Sequence, residues 1–191
     1  MIFKTTHQLI WKHNKLTING QKQAWFDMIT SKPIHINEQL NLIYKDIGMK
    51  YPKFHKMDLQ SKVAILAIEL MNIPFKKWNP YNIAMLFDTQ SGSITADKAF
   101  EASRTTFPSP ALFVYTLPNI FMGEIAIRHE IKGPHICLQL DPESTTSALS
   151  DRAEQILRNK KADVILWGQI NATEEEIDVK INLSVLSNID S

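Results

Sequence analysis

Ile83-Ala84-Met85-Leu86-Phe87 is apolar at every position and is closed by polar residues at both ends, and Ala162 to Trp167, apolar but for Asp163, reads as another buried strand. A strand with one face in water alternates apolar and polar residues. A strand with no polar position must be covered on both faces, which calls for helices on both sides of a mostly parallel sheet. Between and around these runs lie stretches of helical character. Met57 to Met71 holds no Gly or Pro and is apolar on most faces after Lys62, as a buried helix is. The order of the elements favours an α/β layer architecture with a mixed, mostly parallel sheet flanked by helices.

The remaining elements follow from local signals. Strands are expected around His7 to Trp11 and Lys15 to Ile18, with Asn19-Gly20 as a turn, then a helix from Glu38 to about Ile47 that ends near Gly48. Asp88 to Gly92 supplies loop residues after the first buried strand, and Thr95 to Arg104 reads as an amphipathic helix with Thr95 as its cap. Pro108, Pro110 and Pro118 place the start of any helix in the next segment at or after Pro118. Ile136 to Leu140 reads as a strand, Thr145 to Lys160 as a helix, and Asp178 to Leu186 as a last, alternating strand.

At 191 residues the chain is expected to form a single domain over 1–191, large enough to bury roughly 70% of its unfolded surface. Twenty-one Lys and Arg against 20 Asp and Glu offer no field for nucleic acid or an anionic membrane. No segment approaches the ~20 apolar residues of a membrane span, and the first twenty residues lack the apolar core of a secretion signal. One cysteine, Cys137, excludes an intramolecular disulfide and a cysteine-rich zinc site. The expected compartment is the cytoplasm, and no metal or cofactor is expected.

The titratable clusters have bland readings. His129 and His135 flank the EIKGP turn and read as surface or turn residues, and His7, His13, His35 and His55 show no metal-ligand spacing. Thr173-Glu174-Glu175-Glu176 reads as a solvated turn. Asp88 and Asp97 flank a glycine-containing loop that lacks the glycine-rich cradle and basic residue a phosphate needs.

Four stretches, taken in order, resemble the N-terminal half of the β-ketoacyl synthases, the condensing enzymes of the thiolase fold: KFHKMDLQSKVAILAIELM, IAMLFDTQSGSITADKAFE, PSPALFVYTLPNIFMGEIAIRHEIKGP and ADVILWGQINA. The resemblance spans about residues 50 to 172. It implies one thiolase half, βαβαβαββ. It also implies a nucleophilic cysteine at the start of a helix, where the positive end of the helix stabilises the thiolate. Counted nine residues from Gly133, that position falls on Pro142, and counted back 25 from Gly168 it falls on Glu143. Neither is a nucleophile. Cys137 lies earlier, within ICLQL, and reads as a buried structural cysteine. The histidine-glycine-threonine and glycine-histidine-asparagine type motifs that carry the family's catalytic histidines do not occur. Asp141 and Glu143 instead place negative charge where they can cap a helix starting near Ser144.

What the resemblance implies is therefore an inactive subunit, similar to the half-length chain length factors of aryl polyene or flexirubin-type pathways. Such a subunit pairs with an active ketosynthase and shapes its acyl pocket. By that resemblance the pocket or interface residues are Leu112, Phe113, Thr116, Leu117 and Ile120, with the strand Ile136, Cys137, Leu138, Gln139 and Leu140 pairing across the two-fold axis. Plain core or interface packing is the competing reading for these residues. A lone half is expected to expose an apolar face and edge, so the partner is an active ketosynthase or a second copy of the chain, with an acyl carrier protein as a further contact. The alternative is a stand-alone homodimeric binding or scaffold protein. A hydrolase or acyltransferase on the same scaffold suffers from the lack of a nucleophile with an adjacent base.

Overall fold

A seven-stranded mixed sheet organises the chain, in the order β3-β2-β1-β7-β6-β4-β5. The structure is a computed structural model that describes residues 1–105 and 107–188. β1 (Ile2–Lys12) turns into β2 (Lys15–Ile18) and the two-residue β3 (Gln21–Lys22). Then come α1 (Ala24–Thr30), α2 (Ile36–Asp46) and α3 (Leu59–Leu70), followed by β4 (Ile83–Asp88). After α4 (Ile94–Ser103), α5 (Pro110–Val114) and α6 (Ile120–His129) come β5 (His135–Leu138), α7 (Thr145–Arg158), β6 (Val164–Ala172) and β7 (Ile177–Ser187). With the β2–β3 extension set aside, this is the βαβαβαββ order that the sequence resemblance implies.

β4 is parallel to both β5 and β6, and β7 runs antiparallel to β6 and to β1. Every residue of β4 is buried, because both sheet faces are covered where it runs. On one face α3 lies almost wholly buried, with Val63, Ala64, Ile65, Leu66 and Ala67 fully inaccessible, packed on the sheet and against α6, which itself reaches β4 through Phe121 and Phe87. Each buried Leu, Ile or Val contributes about 1.5–3 kcal/mol. Asp58 starts α3 by accepting hydrogen bonds from the backbone N–H groups of Gln60 and Ser61 at 3.2 Å.

Among the described residues, the other face carries α7 alone. Its Leu149, Ala153, Ile156 and Leu157 follow helical spacing and pack on Ala84, Leu86, Ile165 and Trp167. The outward residues of α7, Thr146, Asp151, Arg152, Gln155 and Arg158, are exposed and polar.

Several boundaries differ from expectation. β1 and β6 are longer than their apolar runs, because sheet pairing recruits polar residues such as Gln169 and Asn171 opposite Lys180 and Asp178. β5 begins at His135 and ends at Leu138, before Gln139 and Leu140. α1 carried no clear periodic signal and forms through packing of Phe26 on Trp11, 5.0 Å between ring centres. α4 is preceded by Ser93, not Thr95. A helix also forms before Pro118, contrary to the proline argument: Pro110 occupies the first turn of α5, where its missing N–H costs nothing, and Ser109 accepts from Leu112 N–H at 3.4 Å.

Candidate functional site

β5 is the edge strand beside β4, and its outer side has no strand partner among the described residues. Its unpaired backbone groups form a template for another chain. The turn that leads into it is fixed sterically. A Cβ on Gly133 would lie 2.2 Å from the carbonyl oxygen of Ile83, so only glycine lets the chain cross the start of β4 this closely.

Beside the edge stand α6 and the turn that joins α5 to it, and large apolar side chains of the segment 107–127 are left in water. Phe107 is 77% exposed, Phe113 56%, Leu117 52% and Ile127 64%. Phe113 is steadied by Phe100 of α4, 5.3 Å between ring centres. α6 is anchored from behind. Lys53 Nζ lies 2.6 Å from the nearly buried Glu124, whose other oxygen accepts from Tyr115 O–H at 3.0 Å. Burial, and then the Glu124 carboxylate, push the Tyr115 phenol above its ordinary pKa. One turn on, Arg128 donates to Glu69 of α3 at 2.8 Å and lies over the Tyr51 ring.

Between the β4–α4 loop, the α5–α6 turn and β5 runs a crevice of about 490 Å³. Thr89 to Ser93, Asp97, Thr116, Pro118, Asn119, Cys137, Leu138 and Gln139 line it. A second hollow of about 230 Å³ continues past Asn119 and Cys137 along α6, bounded by Leu117, Ile120, Met122, Gly123 and His135. The loop is shaped by Asn171, whose Oδ1 accepts from Gln90 N–H at 2.7 Å and Ser91 N–H at 3.2 Å.

Asp88 is fully buried at the end of β4. It accepts from Leu140 N–H at 2.7 Å, Gln90 Nε2 at 3.0 Å and Gln169 Nε2 at 3.3 Å, so it ties the end of the edge strand to the centre of the sheet. This is structural work, and not the flanking of a phosphate loop.

The structure therefore brings Thr116, Cys137, Leu138 and Gln139 to the first crevice, and Leu117, Ile120 and Cys137 to the second, adjoining hollow. Leu112 and Phe113 lie on α5 outside both, while Ile136, Leu138 and Leu140 pack with the α7 cluster on the opposite face, Leu138 also bordering the crevice. The sequence reading missed Gln90, Ser91 and Asn119 as lining residues. The DTQSG signal at the end of a buried strand pointed to the loop but not to what faces it.

Pro142 and Glu143 are exposed in the turn before α7. Asp141 Oδ1 there accepts from Glu143 N–H at 3.0 Å, and the Asp141 carbonyl accepts from Thr145 O–H at 2.7 Å. Cys137 is half-buried, and not fully buried as expected. Burial and then Asp88 push its thiol pKa up, the opposite of an activated nucleophile. His129 is also no surface residue. Its side chain is 16% exposed, against Phe75 and 3.7 Å from Glu69, and burial with Arg128 nearby lowers its pKa to about 4. His135 is exposed at the start of β5.

Among the described residues no group of three or more His, Cys, Asp or Glu could hold a metal ion, and no helix is long and apolar enough to cross a membrane.

No protein-family model and no curated protein matches the sequence. Solved structures share its fold. A chain of the ishigamide ketosynthase/chain length factor superposes with a TM-score of 0.71 at 12% identity, over 100% of this chain and 64% of that one. A chain of the ketosynthase ApeO in complex with its chain length factor ApeC, from Xenorhabdus doucetiae, gives 0.62 at 10% identity over 99% and 81%. A chain of the AntDE:AntF assembly, a type II polyketide synthase acyl-carrier protein in complex with its ketosynthase, gives 0.66 at 10% identity over 96% and 62%. The chain spans less than two thirds of the first and third of these neighbours. Its fold is that of ketosynthase and chain length factor subunits.

Proposed function

We propose that this chain, acting as one domain over 1–191, is a non-condensing ketosynthase-like subunit that docks onto an active β-ketoacyl-ACP synthase and shapes its acyl pocket, in the manner of a chain length factor. The observation that carries this reading is the coincidence, among the described residues, of an unpaired edge strand with exposed Leu117 in the α5–α6 turn and Ile127 on α6 beside it, and with exposed Phe113 and Val114 on the preceding α5. An edge strand gains backbone hydrogen bonds by pairing, and apolar side chains of this size gain by leaving water together. The turn before α7 adds to it, since exposed Pro142 and Glu143 offer no nucleophile and the Cys137 thiol is pushed away from its reactive form. The neighbours described as ketosynthase with chain length factor, and as acyl-carrier protein with ketosynthase, supply the kinds of partner. Such a pair would work in the cytoplasm, where a free thiol stays reduced.

Co-expression with a catalytic ketosynthase of the same organism, followed by co-purification and product analysis, tests the proposal. A stable heterocomplex is expected, with product length shifted by Leu112→Ala or Leu117→Ala. If both substitutions leave complex formation and product length unchanged, the pocket-shaping role fails. The chain alone should condense nothing, and a Cys137-dependent turnover would overturn the reading. A homodimer that ignores the ketosynthase would favour a stand-alone scaffold contacting acyl carrier protein.

A further inference from the structure

We infer that the cleft between the loop after α3 and the carboxyl-terminal end of α6 binds a free α-amino acid with an apolar side chain. The loop from Ile73 to Lys76 forms one wall and Arg128 to Glu130 form the other, around about 540 Å³. That is room for a small molecule. The loop leads towards the start of β4, whereas the crevice at Cys137 opens beyond its end, so the two are separate features. The inference does not rest on the ketosynthase partnership.

Uncommitted charges of both signs decide the class. Lys76 and Glu130 are exposed and line the same cleft, yet neither makes an ion pair or a hydrogen bond with any described residue. Arg128 is held more firmly. Its Nε donates to Glu69 at 2.8 Å, and its guanidinium lies 4.8 Å from the centre of the Tyr51 ring. Its terminal nitrogens make no hydrogen bond among the described residues. A planar guanidinium fixed in this way, with a lysine in the same cleft, receives a carboxylate.

The backbone supplies the opposite sign. α6 ends here, and Glu130 follows it in the left-handed region at φ +59°. The carbonyls of a helix's last turn carry its partial negative charge, and together with the Glu130 carboxylate they favour an ammonium group. α3 also ends just before the cleft, at Leu70, and adds a field of the same sign. His129 does not alter this balance at neutral pH, because burial lowers its pKa to about 4. Its ring stands against Phe75, and its buried Nε2 has no hydrogen-bond partner among the described residues. Ile73 and Pro74, both half-buried, supply the apolar surface on which a side chain can lie.

Simpler ligands leave a charge unanswered. A carboxylate without an amine would face Glu130 and two helix ends, and an amine without a carboxylate would face Lys76 and Arg128. A peptide terminus carries one of the two charges. A free amino acid carries both, on neighbouring atoms, with the side chain beside them.

Calorimetric titration of the 191-residue chain at neutral pH, with phenylalanine, leucine, glycine, 3-phenylpropionate and phenethylamine at millimolar concentration, tests the inference. Phenylalanine and leucine should bind at least about 10-fold more tightly than 3-phenylpropionate and phenethylamine, each of which lacks one set of charge-assisted hydrogen bonds. Glycine should bind more weakly than either, for want of an apolar side chain. Lys76→Gln and Glu130→Gln, at exposed positions, should each weaken phenylalanine about 3-fold and leave the melting temperature unchanged. Glu130→Gln should at the same time strengthen 3-phenylpropionate, and Lys76→Gln should strengthen phenethylamine. The inference is overturned if either single-charge analogue binds as tightly as phenylalanine, if both variants leave phenylalanine binding unchanged, or if no amino acid binds. Each of those results leaves the ketosynthase pairing standing, just as failure to pair leaves a positive titration standing.

Discussion

Asp88, Gly168 and His129 each hold a position that nothing else in the chain can take over. Asp88→Ala leaves the N–H of Leu140 and the amides of Gln90 and Gln169 without their acceptor, so a loss of about 2–3 kcal/mol is expected, read as a lower urea midpoint. Gly168 sits in β6 at φ +153°, where an added Cβ would fall 1.8 Å from the Lys180 carbonyl oxygen of β7. Gly168→Ala should cost about 3 kcal/mol or more and part β6 from β7, seen as loss of amide-exchange protection in both strands. For His129 the sign is set by a pKa of about 4 in the folded chain against an ordinary 6.5. Above pH 6.5 both states hold the neutral ring. As the pH falls from 6.5 towards 4 the unfolded chain takes up the proton first, so stability drops, by up to about 3 kcal/mol, and levels off below pH 4. His129→Gln should flatten that part of the pH profile.

At the scale of elements, α5, α6 and β5 make one surface, and its energetics differ from those of the core behind it. Phe113→Asp and Leu117→Asp alter side chains that are more than half exposed, so each should change the stability of the isolated chain by no more than about 0.5 kcal/mol. In the ketosynthase co-purification each should nonetheless weaken capture at least about 10-fold, because a charge would then be buried without a partner. The long elements were legible because their signals are strong. α3 lacks Gly and Pro and is apolar on most faces, and β4 is an unbroken apolar run. α5 was not legible, because a segment with Pro108, Pro110 and Pro118 has low intrinsic helicity. Only the cap from Ser109 and the contact of Phe113 with Phe100 make five helical residues persist. The candidate site divides in the same way. Strand alternation sends Cys137 towards α6 and Ile136 towards α7, so a list of consecutive β5 residues could not all share one crevice.

At the scale of the whole molecule, the exposed apolar surface is not where a bare half of a two-half fold would leave it. Beyond α7 the outer face of the sheet carries Gln8, Lys12, Thr17, Gln169, Lys180 and Asn182. Gln8 donates to Asn182 at 2.8 Å, and Lys12 pairs with Asp178 at 3.3 Å. That face is built for water, with Ile10 as a half-buried exception. In a Cys137→Ser background, Lys180→Cys carrying a polyethylene glycol maleimide should therefore leave ketosynthase capture unchanged, whereas the same label on Leu117→Cys should block it. Capture lost with the label at position 180 would place the partner on the sheet face instead of the edge.

Sequence by itself determined the layer architecture and the order of the main elements. These depend on local periodicity, on glycine and proline, and on spacing along the chain. Tertiary structure alone decided that the sheet ends at β5, that exposed Leu117 and the helix α6 stand beside that edge, and that Asn119, Gln139 and Asp97 meet around Cys137. These residues come from three separate segments. Their meeting depends on how α4, α6 and β5 pack on β4, a long-range arrangement that no local pattern encodes.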